Sequence, residues 1–113
     1  MLITFRSRSM AKTFNKTKKL RREYGAKMAK VIRRRLDDLA DAECLEDMRH
    51  LPGRCHELSG DRKGTLSVDL RKQYRLIFRP RVEGPAPTRP DGGLDWQAVD
   101  AIEIVEVDDT HGK

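Results

Sequence analysis

Residues 51–78 read LPGRCHELSGDRKGTLSVDLRKQYRLIF, and the fold is decided by how this stretch changes its period. Pro52-Gly53 breaks any helical register that precedes it. After the break the apolar residues recur every second position, the period of a half-buried strand. Thr65–Leu70 sets Leu66, Val68 and Leu70 on one face and Thr65, Ser67 and Asp69 on the other. Tyr74–Arg79 repeats the pattern, with Tyr74, Leu76 and Phe78 inward and Arg75, Ile77 and Arg79 outward. The short link Arg71-Lys72-Gln73 makes these two runs an antiparallel hairpin, and Arg54–Leu58 predicts a further strand.

On the N-terminal side, Leu2–Arg6 reads as a short strand with Ile3 and Phe5 on one face. Ser9 is the expected N-cap of a basic helix over Met10–Tyr24, which Gly25 ends as a left-handed cap. A second helix over Ala26–Ala40 carries Met28, Ile32, Leu36 and Leu39 at helical spacing. Leu45, Met48 and Leu51 add one or two helical turns. On the C-terminal side, Pro80–Asp95 holds four prolines and three glycines and is expected to form a long mobile loop. Ala101–Val107 is apolar on both faces, which suits an interior strand, and residues 108–113 form a polar tail. The order gives one α+β domain over residues 1–113. Two N-terminal helices should pack on one face of a small, mainly antiparallel, twisted sheet. The other face stays open as a substrate surface bearing Ser67, Arg75 and Arg79.

A chain of 113 residues supports one modest core. Hydrophobic and charged residues each make up 37%, so that core must be economical and the surface highly charged. No apolar run approaches the ~18–20 residues of a membrane span, and no secretory signal pattern opens the chain. A cytoplasmic location is the expectation, with no membrane partner. Two cysteines, Cys44 and Cys55, fit a reducing compartment. Cys44, His50, Cys55 and His56 follow no common zinc spacing, and neither metal nor cofactor is expected.

Charge is divided unevenly along the chain. Residues 1–35 hold thirteen Lys/Arg against the single acid Glu23, while residues 36–48 hold six acids and no base. So lopsided a half attracts polyanions or an acidic protein, a reading favoured here over the solvated helix face that a charge run usually means.

The residue types in 51–78 suit phosphodiester chemistry, which needs an imidazole to move protons and cations to meet a phosphate whose charge grows in the transition state. Arg75 on the outward face can grip a phosphate with two parallel hydrogen bonds, or form an ordinary salt bridge. Arg62 and Lys63 sit in a turn flanked by Gly60 and Gly64. His56 and His111 are the histidines near strand ends. His56 shares a face with Leu58 and so also suits an inward, structural place. Asp109 stands near His111 and can orient an imidazole. Arg54 and His56 flank Cys55 and raise the question of a lowered thiol pKa. No G-x-S-x-G, P-loop or H-E-x-x-H pattern occurs.

The combination LPG…CHELSGDRKGTLSVDL…YRLIF, behind a basic helical half and before a strand ending in an acid and a histidine, resembles the RelE-like toxins of bacterial toxin–antitoxin pairs, specifically the HigB branch. The resemblance covers almost the whole chain. It implies an α+β endoribonuclease that cuts mRNA on the ribosome without metal, by attack of the 2′-hydroxyl on the adjacent phosphate. It implies His56 and Arg75, with Asp109 and His111 of the tail, as catalytic groups and Arg62 and Lys63 as a phosphate-binding turn; Arg79 on the open sheet face is a further candidate phosphate-binding cation. Asp109-Thr110-His111 stands where the family has Asp-Tyr-His, so Thr110 replaces a tyrosine able to stack on a base. Of the remaining aromatics, Trp96 in the long loop is the best replacement platform, ahead of Tyr24 and Tyr74. The implied partners are a helix-turn-helix, HigA-like antitoxin, mRNA on the ribosome, and operator DNA only through the antitoxin complex. Two other readings stay open: a non-catalytic module of the same fold that binds antitoxin, ribosome or DNA, and a DNA-binding regulator, which lacks a helix-turn-helix pattern.

Overall fold

The computed structural model describes residues 1–110. Five strands form one sheet: β1 (Leu2–Phe5), β2 (His56–Glu57), β3 (Leu66–Asp69), β4 (Tyr74–Pro80) and β5 (Ala101–Asp109). Their spatial order is β1-β5-β4-β3-β2. β1 runs parallel to β5 and the other neighbours are antiparallel. The interior position expected of the last strand is therefore observed. The Leu66–Asp69 and Tyr74–Pro80 strands pair as the predicted hairpin, with Val68 opposite Leu76 and Asp69 opposite Arg75.

Three helices, not two, cover one face: α1 (Arg8–Phe14), α2 (Thr17–Tyr24) and α3 (Ala26–Asp41). The expected helix 10–24 starts earlier and breaks in its middle. Ser7, not Ser9, is the N-cap, its Oγ accepting from the Met10 amide at 3.1 Å. Asn15 closes α1, and Lys16 is extended before α2. In one continuous helix Phe14 and Leu20 would point about 120° apart. The break lets both reach the core, where each is fully buried. Phe14 then meets Phe5 and Tyr24 edge-to-face, at 5.6 and 6.0 Å between centroids. Gly25 takes φ 85° with an extended ψ of 160°, not the left-handed helical cap expected, and turns the chain into α3.

The core lies between these helices and the sheet. Ala29, Ile32, Leu36 and Leu39 of α3 meet Leu66, Val68, Leu76, Phe78, Ile102 and Ile104. A 3₁₀ turn over Leu45–Met48 inserts Leu45 and Met48 at one end. Trp96 joins that end from another 3₁₀ turn, Trp96–Ala98, and is only 5% exposed. Its Nε1–H donates to Glu57 at 3.1 Å, and the Arg49 guanidinium lies 4.0 Å over its ring. Trp96 is thus a core residue, not a stacking platform in a loop.

The second face is less open than its polar pattern suggests. Ser67 and Ile77 on that face are both fully buried, and Ser67 Oγ has no hydrogen-bond partner among the described residues. β5 also carries a bulge. Phe78 pairs with Ile104, but Ile77 pairs with Glu106, so Val105 is an extra residue. Beyond it the alternation of β5 is reversed.

Candidate functional site

The bulge decides which acid of β5 faces Arg75. An unbroken ladder would put Val105, Val107 and Asp109 on the face of Ile77 and Arg75. With the extra residue, Glu106 pairs with Ile77 and Asp108 with Arg75. Asp109 pairs with Tyr74 and shares its helix-side face, so the acid that faces Arg75 is Asp108, not Asp109. His111 lies outside the described residues.

Asp108 is 4% exposed and joins two arginines. Its Oδ2 accepts from Arg75 Nε at 2.9 Å and its Oδ1 from Arg62 Nη2 at 3.3 Å. Arg62 also donates through Nη1 to Glu106 Oε2 at 3.0 Å. Hydrogen bonding to Glu106, reinforced by the nearby Asp108 charge, raises the pKa of Arg62 above its ordinary value. The turn that carries Arg62 is a short 3₁₀ segment, Gly60–Arg62, and the Arg62 carbonyl accepts from the Thr65 hydroxyl at 2.7 Å. Around the two guanidiniums opens a cleft of about 570 Å³, lined also by Leu58, Ser59, Asp61 and Thr110. Thr110 is pinned to the β3–β4 turn, its hydroxyl donating to the Gln73 carbonyl at 2.9 Å.

His56 lies on the same face. It pairs with Ser67 across β2 and β3, and Ser67 pairs with Ile77 across β3 and β4. The inward alternative for His56 is excluded: the imidazole is exposed, while Cys55 beside it is buried. His56 does share its side with Leu58, but that side is the cleft side. The Arg54 carbonyl lies 2.7 Å from His56 Nδ1. A carbonyl only accepts, so Nδ1 carries the proton and a neutral ring presents its lone pair at Nε2.

The segment before His56 is held by α3 and β3. Gly53 sits at φ 110°, and a Cβ there would stand 2.8 Å from Arg35 Nε, so the turn requires glycine. Arg35 Nε donates to the Asp69 carbonyl at 2.8 Å, the Asp69 amide donates to the Gly53 carbonyl at 2.7 Å, and Asp69 Oδ2 accepts from Arg54 at 2.6 Å. These bonds shorten the expected strand 54–58 to two residues, because Arg54 takes φ 48°.

The remaining candidates lie apart from the cleft. Lys63 is exposed just after the 3₁₀ turn and does not line it. Arg79 is further along β4 and pairs with Glu103, its Nε donating at 2.6 Å. Burial pushes the Cys55 thiol up to about 12 despite the opposing charge of Arg49, so the lowered thiol pKa is not found. Both cysteines are free. Among the described residues, no group of three or more His, Cys, Asp or Glu is placed to hold a metal ion. No described helix is long and apolar enough to cross a membrane. A second groove of similar volume lies between α2 and α3, with Arg21, Lys30, Arg33 and Arg34 around Leu20 and Ala29. Asp37 and Asp38 line it too, and it holds no histidine or cysteine among the described residues.

Glu106 and Asp108 are the site residues that sequence reasoning missed. Their acidity was visible, but their face depended on the bulge.

A family model described as HigB-like toxin, RelE-like toxin of type II toxin-antitoxin system HigB, matches residues 3–84. The chain belongs to the HigB-like toxin family. It is a toxin component of a type II toxin–antitoxin system, within the RelE-like superfamily. The matched segment contains His56, Arg62, Lys63, Arg75 and Arg79 and ends before β5. Among curated proteins, none matches. A solved YoeB/ParE toxin from Agrobacterium tumefaciens is similar in structure, with a TM-score of 0.58 and 14% identity, over 96% of this chain and 98% of that one. A YoeB-YefM complex from Staphylococcus aureus is similar at a TM-score of 0.56 and 17% identity, over 95% and 94% of the two chains. At such identities the likeness is one of fold, and this HigB-like toxin has the α+β arrangement of both.

Proposed function

We propose that this HigB-like toxin is a ribosome-dependent, metal-independent mRNA endoribonuclease. The observation that carries the reading is the meeting of Arg62 and Arg75 in one cleft, on the sheet face that also bears His56. In the proposed reaction His56 Nε2 takes the proton of a ribose 2′-hydroxyl. The 2′-oxygen attacks the adjacent phosphorus, the P–O5′ bond breaks, and the 5′-oxygen receives a proton, for which His111 is the proposed donor. The products are a 2′,3′-cyclic phosphate and a 5′-hydroxyl. Guanidinium N–H groups from Arg75 and Arg62 meet the non-bridging oxygens, whose charge grows as the 2′-oxygen adds. Lys63 and Arg79, outside the cleft, are assigned to the flanking RNA backbone. Asp109 has no part in this scheme.

The proposed partner is a small helix-turn-helix, HigA-like antitoxin, with operator DNA bound only through the complex. The Staphylococcus aureus neighbour is itself solved as a complex of two named components, YoeB and YefM. The test is tightly induced expression with mapping of mRNA ends. New 5′-hydroxyl ends inside translated frames, accompanied by growth arrest, are expected. Normal growth with no new ends, from soluble folded protein, would refute the nuclease reading. It would favour a binding module of the same fold, a reading that Thr110 and the ion-paired arginines support.

A further inference from the structure

We propose that the two acids of β5 have opposite roles toward the cleft: Asp108 fixes Arg62 and Arg75 in place, and Glu106 is an internal competitor that an incoming phosphate displaces from Arg62. The proposal rests on the reading of the cleft as a phosphate site.

Charge balance raises the question. Arg62 and Arg75 bring two positive charges, and Glu106 and Asp108 bring two negative ones. A phosphodiester entering this cleft would meet no net attraction from the four. One carboxylate has to give way, and the geometry separates them. Asp108 is buried and each of its oxygens serves a different guanidinium, at 2.9 and 3.3 Å. Its backbone is set opposite Arg75 in the ladder. Withdrawing it would take from Arg75 its carboxylate partner and leave Glu106 as the one carboxylate bonded to two part-buried guanidiniums, an arrangement disfavoured by desolvation and by repulsion.

Glu106 is placed differently. Its side chain is 36% exposed and, among the described residues, makes one ion pair, 3.0 Å from Arg62 Nη1. It can rotate into water and be resolvated there. The carboxylate oxygen on Nη1 then marks where a phosphate oxygen would sit. With Glu106 withdrawn, Arg62, Arg75 and Asp108 sum to +1, which one phosphodiester neutralises. Asp61, exposed and lining the cleft, hydrogen-bonds neither guanidinium among the described residues, but its charge acts on Arg62 and offsets part of that +1. The free cleft is therefore closed to weak anions by its own glutamate and opens to a phosphate delivered with further contacts. Both acids come from β5, beyond the segment that the family model matches.

The experiment is a titration of the full chain with inorganic phosphate, followed by NMR of the arginine Nε–Hε signals. Glu106→Gln is expected to tighten phosphate binding about tenfold, the effect of one removed charge near a part-exposed site, and to leave the Arg75 signal in place before phosphate is added. Asp108→Asn also removes one negative charge, yet is expected to weaken phosphate about tenfold and to move the Arg75 signal. Should Asp108→Asn fail to fold, Asp108→Glu keeps the charge, displaces the carboxylate by one methylene, and is expected to weaken phosphate as well. Unchanged affinity in Glu106→Gln, tighter binding in Asp108→Asn, or wild-type binding in Asp108→Glu would each overturn the proposal. Because phosphate binding is read without cleavage, a chain that exchanges Glu106 for phosphate but cuts no mRNA refutes the nuclease reading alone.

Discussion

Replacing Trp96 tests whether this residue is core or RNA platform, and the structure gives the size of the effect. The side chain is 5% exposed, so Trp96→Ala removes nearly a whole buried indole. Burial of an aromatic side chain covers ~150–250 Å², worth about 4–6 kcal/mol at ~25 cal/mol per Å² as an upper bound. The hydrogen bond to Glu57 adds about 1 kcal/mol and the overlying Arg49 a few tenths more. Glu57 and Arg49 are both exposed and regain water when the indole is gone, so neither becomes an orphan. The expected loss is about 4 kcal/mol for Trp96→Ala and about 2 kcal/mol for Trp96→Phe, which keeps one ring and the cation contact. Against a total of ~5–15 kcal/mol, the alanine variant loses a large share of its stability. Urea unfolding followed by circular dichroism measures both losses. A Trp96→Ala protein within ~0.5 kcal/mol of wild type would refute the core assignment. Selective loss of RNA affinity in that stable protein would restore Trp96 as a stacking surface.

Arg75→Ala should reduce mRNA cleavage about a hundredfold or more while the chain stays folded, since Arg62 still serves Asp108; end mapping after induction measures it. His56→Ala should likewise relieve toxicity, about a hundredfold, with little change in unfolding temperature because the imidazole is exposed. Wild-type toxicity from both folded variants would sink the site assignment. Thr110→Tyr supplies an aromatic face at the cleft rim, and base stacking of ~1–3 kcal/mol should strengthen cleavage roughly tenfold to hundredfold in the same assay. Cys55, pushed up to about 12 from 9.0, should resist alkylation at pH 8 in the folded chain and react freely in urea. The folded state favours its neutral thiol, so this contribution to stability is whole below pH 9 and fades as pH rises toward 12; Cys55→Ala should remove that part of the slope. Tyr24, raised by burial and by Glu23, acts in the same direction.

The sheet hairpin and the long helix were legible because their apolar periods run unbroken for several turns or pairs. Val68 against Leu76, and Ile32, Leu36 and Leu39 under the sheet, follow directly from those periods. The break at Asn15–Lys16 was not legible, since neither residue is a strong helix breaker and the reason lies in where Phe14 and Leu20 must point. The single-residue bulge at Val105 left no local signature, and it alone exchanges Asp109 for Asp108 in the cleft. Parity placed Arg75 on the outward face, but nothing in the sequence told that Arg62 would reach across to meet it. Trp96 was misplaced for a similar reason: a Pro/Gly-rich flank marks a loop but not whether its last residue returns to the core.

β1 lies beside β5, and Leu2 pairs with Ala101, almost the length of the chain away. At ~5–20 residues per second a ribosome finishes the first strand several seconds before it makes the partner. Until then the N-terminal strand has no neighbour in the sheet, and the arginine cleft lacks Glu106 and Asp108. A chain released before residue 101 thus lacks the strand that completes the sheet and the aspartate that seats the guanidiniums. Structural closure and assembly of the cleft coincide when β5 is made, so copies of this toxin released before it are expected to be harmless to the cell that makes them.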